Sequence, residues 1–204
     1  MKTDIEIIID WLYYADSYFN ACKLLHPTTN YGTTANSFEN VSDRVFRVGP
    51  VYHNLGLATE LTFKAALLLS GSTKDELRKS GHDLEVLFTK VSKCRDLTNT
   101  NDTAFSAAVA IGPPDDMLER LEKSGQPSAA WYLLATHVRS LSSNYNIFVG
   151  DHEITSDERH RARYAASDRA YKEICVEVVM AGLDVLLTEL YDEFSLRRTE
   201  TRIR

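Results

Sequence analysis

The feature that most constrains this chain is an apolar residue every three or four positions, renewed in segment after segment. Ile5, Ile8, Leu12, Ala15, Phe19 and Cys22 recur that way. At 3.6 residues per turn such positions fall on one side of an α-helix, so the spacing predicts a helix over 4–25. Trp11, Tyr14, Tyr18, Ala21 and Leu25 form a second stripe beside the first. Together the stripes make an apolar face wide enough to be central in the fold or shared with a partner chain. Only "NIFVGDHEI" has any strand character, and we read it as loop.

The same logic organises the rest. A second helix is expected over 50–70, with Pro50 in its first turn and Gly71 just past its end. Its inner face is Leu57, Leu61, Ala65 and Leu68. Thr73 and Glu76 have capping-box spacing for a short helix to Lys79, and Ser80 and Asp83 for the next, which carries Leu84, Leu87, Phe88 and Val91. "AFSAAVAIG" and "DDMLERLEKSG" read as two short helices around Pro113 and Pro114. "SAAWYLLATHVRSLSSNY" reads as another, with Leu133, Val138 and Leu141 inward. Thr155 and Glu158 open a last helix over about 156–196, with Tyr171, Ile174, Val178, Ala181 and Val185 inside. The expected architecture is a single all-α domain over 1–204, an antiparallel bundle of about five main helices. It carries a polar loop at about 26–44, an inserted segment at about 95–128 and a basic, frayed tail at 197–204.

Composition narrows the function. The chain has 204 residues, 44% hydrophobic and 25% charged, which suits an ordinary globular protein. Its formal net charge of -6 argues against sequence-blind nucleic-acid binding, though a local basic patch stays open. Three cysteines without a CxxC pair suggest neither a zinc site nor a disulfide framework. Cys22 and Cys175, set among apolar residues, read as free buried thiols. Acids inside the first apolar run are foreign to a signal peptide. Glu177 and Asp184 interrupt the most apolar stretch, 174–190, so no membrane span is expected and the cytoplasm is the expected compartment. The sequons at Asn40 and Asn101 then carry no weight. HExxH, paired ExxH, nucleophile-elbow, GxGxxG and P-loop patterns are all missing from the sequence, so no cofactor and no metal are expected.

Three groups of residues could carry chemistry. Glu60 and Lys64 have the order and spacing of a helical ion pair, and His82 opens the next helix. Leu57 and Leu61 press the pair toward the core edge. A carboxylate there needs donors, which Lys64 and His82 can supply, so these three read as a structural polar cluster. Arg47 and His53 are the catalytic candidates. An imidazole can move a 2'-hydroxyl proton while a guanidinium holds the phosphate. Arg159, Arg161 and Arg163 are candidate phosphate contacts, unless they are simply a solvated face.

Glu60, Lys64 and Ala65, then Gly71, then Gly81, His82, Asp83, Leu84 and Leu87 form a pattern that resembles HEPN-type domains. Arg163 and Tyr164 look like the Arg-Tyr pair found near the start of the last core helix in that family. The resemblance covers roughly 45–92 by motif and 130–190 by helix order. It implies a helical bundle that dimerises through helix faces. It also implies, for many members, metal-independent endoribonuclease activity in toxin, defence or RNA-processing systems. The family signature, an Arg and a His with four to six residues between them in the last core helix, is missing here: no histidine follows Arg163. The spacing recurs only at Arg47 and His53, on the second helix. The expected function is therefore a homodimeric HEPN-like module, non-catalytic or weakly catalytic, binding RNA or a partner protein. The alternatives are a metal-independent endoribonuclease using Arg47 and His53, and a structural partner of another protein such as a nucleotidyltransferase.

Overall fold

The computed structural model describes residues 4–26, 41–114, 116–123, 125–145 and 174–203, with backbone alone at 41–47 and 198–203. Among these residues the structure is all-helical, with no strand. Helix α1, Asp4–Leu25, has the expected bounds and buries the first stripe from Ile8 to Cys22. Ile5 stays largely exposed at the end of that stripe, and Tyr14 of the second stripe stands 60% exposed.

Helix α2 spans Val41–Leu69 and corrects two expectations. It begins about two turns before Pro50, so Pro50 lies inside it, and the polar loop expected at 26–44 gives up its last residues to helix. An interior proline has no N–H for the carbonyl four residues back and costs a helix about 3 kcal/mol. Burial outweighs that cost, because Val48, Val51, Tyr52 and Leu55 all lie in the core around it. The inner face is met in part: Ala65 and Leu68 are buried as expected. Leu57 and Leu61 are only partly buried, while Leu55, Ala58, Thr59, Thr62 and Ala66 are fully enclosed. Thr59 and Thr62 can be enclosed because each hydroxyl donates to a carbonyl one turn back, at 2.7 Å. α2 is thus the central helix, flanked by α1, α4, α7 and α8.

Helix α3, Lys74–Ser80, starts in a complete capping box: Thr73 accepts from Glu76 N, and Glu76 accepts from Thr73 N at 2.7 Å. Helix α4, Leu84–Cys94, is capped by Asp83, whose Oδ1 accepts from the amides of Glu85 and Val86, while the Leu84 amide donates to Ser142 Oγ. Ser80, expected to share that cap, instead ends α3 and accepts from Lys90 Nζ at 2.6 Å.

The segment expected as an insertion contributes buried residues to the core. Helix α5, Thr98–Ile111, buries Thr100, Ala104 and Ala108. It packs on α8, Val176–Ile203, at a point where both backbones come close. A Cβ on Gly182 of α8 would stand 2.8 Å from Leu134 Cδ2 and 3.4 Å from the Cβ of Ala104. Helix α6 is Met117–Lys123, and a 3-10 helix, Ser128–Tyr132, leads into α7, Leu134–Tyr145. Val138 and Leu141 face inward as expected, but Leu133 is 53% exposed and Leu134 takes its place.

Ile174 and Cys175 are not helical, and α8 starts at Val176, with Ile174 and Val178 buried as expected; the expected start near 156, with Thr155, Glu158 and Tyr171, lies outside the described residues. The buried line of α8 runs through Val179, Leu183, Leu186, Leu190 and Phe194, leaving Ala181 and Val185 at the edge. α8 continues to Ile203, so most of the expected tail is helix. Among the described residues no helix is long and apolar enough to cross a membrane.

Candidate functional site

Helix α2 turns His53, Gly56, Glu60 and Lys64 toward one side, at spacings of three, four and four. Two other elements reach that side. The turn between α3 and α4 delivers His82 directly after Gly81, which has φ 61°. The end of α7 delivers Tyr145.

Glu60 is the hub, only 4% exposed. Lys64 Nζ donates to its Oε1 at 2.6 Å, and the Tyr145 hydroxyl donates to its Oε2 at 2.8 Å. His82 Nδ1 lies 2.9 and 3.0 Å from the two oxygens. Burial works against the charge on Glu60. The Lys64 ammonium, the hydrogen bonds from Lys64 and Tyr145, and nearby His82 outweigh it and hold the carboxyl below its ordinary range. The structure thus brings Glu60, Lys64 and His82 into contact. The i, i+4 order of the first two was readable locally, whereas Tyr145 lies 85 residues from Glu60 and its role was not foreseen.

Tyr145 gets there because of Gly56. A Cβ at Gly56 would lie 2.3 Å from Tyr145 Cδ2, so only a bare Cα admits the ring. His53 flanks the same ring, with centroids 6.2 Å apart. This catalytic candidate is therefore a packing neighbour of Tyr145. The side chain of Arg47 lies outside the described residues. Positions 47 and 53 are six residues apart on one continuous helix, which sets them about 120° apart around its axis. Arg159, Arg161 and Arg163 also lie outside the described residues.

A second polar chain was not foreseen. His137, 1% exposed on α7, donates from Nε2 to the Trp131 carbonyl at 2.6 Å and accepts at Nδ1 from the Cys175 amide at 3.2 Å. Both bonds suit the neutral ring, and burial lowers the imidazole's proton affinity despite the opposing pull of the Trp131 carbonyl and Glu177. The Cys175 thiol donates to Glu177 Oε2 at 3.3 Å, and His26 Nε2 sits 3.0 Å from Oε1. The His26 bond does most to hold Glu177 down, to about 2. Burial first, and Glu177 second, push the Cys175 thiol up to about 12, which makes it a poor nucleophile. The lone histidine between Leu134 and Val138 was the one sequence cue to this chain.

Among the described residues, no three His, Cys, Asp or Glu side chains stand close enough to hold a metal ion. Most described cations are tied to carboxylates: Lys23 to Asp184, Lys74 to Asp4, Arg95 to Glu193, Arg120 to Asp116, Lys123 to Glu119 and Arg139 to Glu85.

No protein-family model, curated protein or solved structure matches the chain. The functional reading therefore rests on this geometry and on the motif resemblance.

Proposed function

We propose that this chain is a HEPN-like helical module that works by binding a partner protein, as a homodimer, in a defence or toxin-type system. In this reading α1, α2, α4, α7 and α8 are the five main helices, and α3, α5 and α6 are additions packed onto them. The resembling motifs support it, since Glu60 and Lys64 from one motif meet His82 from the other.

The observation that carries the binding role is the internal use of charge. Both Glu60 oxygens are occupied by groups of the same chain, and most described cations already hold carboxylates. Gripping an RNA backbone needs cations turned outward, since each phosphate contact is an exchange of counterions for Lys or Arg. A surface whose cations are already paired favours a protein partner over RNA. Large apolar side chains on that surface point the same way: Phe105, Val109 and Leu133 are each about half exposed.

The test combines a ribonuclease assay, filter binding to a mixed-sequence RNA across a salt series, and light scattering at micromolar protein. The expected result is a dimer with no cleavage and no salt-sensitive retention. Cleavage lost on Arg47→Ala or His53→Ala would replace this reading with the ribonuclease, and tight low-salt retention would replace it with an RNA binder.

A further inference from the structure

We propose that the groove between α4 and α7 is a binding site for a small amphipathic carboxylate, one short apolar body with a single anionic head. This goes beyond the partner-binding role and does not depend on it.

The groove has a volume of about 270 Å³, and Phe88, Ala135 and Val138 supply its apolar surface. That volume is near the lower end for small-molecule sites, which suits one ring or a short chain. Its floor is held from behind. Phe88 packs against Phe63 with ring centroids 5.6 Å apart, and Val138 is 1% exposed.

The walls offer few free donors. The Thr89 hydroxyl donates to the Glu85 carbonyl at 2.9 Å, and the Ser92 hydroxyl to the Phe88 carbonyl at 2.8 Å. Recognition of a polar end therefore falls to the three charged side chains that line the groove, Glu85, Lys93 and Arg139. Arg139 Nε and Glu85 Oε1 are 2.7 Å apart and neutralise each other. Among the described residues no carboxylate pairs with Lys93. One uncompensated cation is left beside an apolar floor, on a chain whose formal net charge is -6. A carboxylate on Lys93 with its hydrocarbon on Phe88 and Ala135 complements both features. A neutral hydrocarbon leaves the cation unused, and a multiply charged anion meets Glu85.

The test titrates 4-phenylbutyrate, and separately its primary amide, into the nitrogen-15-labelled full chain while following amide shifts. The expected outcome is saturable shifts at Thr89, Ser92, Lys93 and Ala135, with a Kd of about 1 mM for the acid, usual for a dozen-atom ligand. The amide binds at least about fivefold more weakly, and added salt narrows the gap, as expected for one charge pair near the surface. Lys93→Gln removes the difference between acid and amide, and Ala135→Trp, which fills the groove, abolishes both. Both positions are exposed, and unchanged melting temperatures show that the variants fold. Equal affinity for acid and amide, shifts centred elsewhere, or binding that survives Ala135→Trp would each overturn the proposal.

Discussion

The ring of Tyr145 lies where the side chain of residue 56 would otherwise be: a Cβ on Gly56 would come within 2.3 Å of Tyr145 Cδ2. From that seat the phenol reaches one turn along α2 and donates to Glu60 Oε2 at 2.8 Å. Glycine costs about 1 kcal/mol against alanine inside a helix, so its presence here is a packing decision.

Gly56→Ala therefore sets two effects against each other. Helix propensity gains about 1 kcal/mol, while displacing a buried ring costs about 1–3 kcal/mol and also breaks its bond to Glu60. The expected net is a destabilisation of about 1–2 kcal/mol in urea unfolding, with Tyr145→Phe recovering little of it. An unchanged or raised midpoint would mean that the ring has other room.

Removing the hub should be more severe than removing a spoke. Glu60→Ala leaves Lys64, 13% exposed at its side chain, with a buried ammonium and no carboxylate. A loss of about 1–3 kcal/mol is expected, the usual range for stranding buried polar partners. His82→Ala should cost less, because that side chain is 60% exposed. Wild-type melting of Glu60→Ala would show the cluster to be dispensable.

Acid should unfold the protein in two stages. His137 binds its proton less readily folded than unfolded, so the native state forgoes a proton that the unfolded chain takes up as pH falls below the ordinary value of 6.5. Stability drops there first. Glu60 and Glu177 have folded values below the ordinary 4.5, Glu177 at about 2. Their contribution is complete above 4.5 and is lost as pH falls through the folded values. Urea midpoints measured from pH 7.5 to pH 3 should fall in both windows, and His137→Gln should erase the upper one. A flat profile between pH 7 and pH 5 in the wild type would contradict the buried neutral ring.

The three cysteines should behave unequally. Burial pushes the thiols of Cys22 and Cys175 up to about 12, whereas Cys94 is exposed. A disulfide reagent at pH 8 should modify one thiol per native chain quickly and the other two only on unfolding. Fast modification of two or more would mean that the core opens readily.

How much of this was legible depends on the reach of each interaction. The bounds of α1 follow from its own period, and the Thr73–Glu76 cap and the Glu60–Lys64 pair are three- and four-residue relationships. The start of α2 was hidden, because Gly49 and Pro50 are local signals against helix and only the packing of Val48, Val51 and Leu55 overrides them. Tyr145, Gly56 and the His137 chain join residues far apart in sequence, where periodicity has nothing to say. Leu133 and Leu134 differ by one position, and a short 3-10 helix before α7 shifted the phase that chose the wrong one.

The close approach of α5 and α8 bears on any effort to trim the chain. Thr100 and Leu134 meet Val179, Gly182, Leu183 and Leu186 around one point of the interior. Excising the stretch from Arg95 to Pro127 to obtain a minimal bundle would open that point to water. A helix with a glycine notch and a row of leucines would then face outward, a surface made for self-association. The shorter protein should be harder to keep in solution than the whole one, and a miniature is better sought by redesigning α8 first.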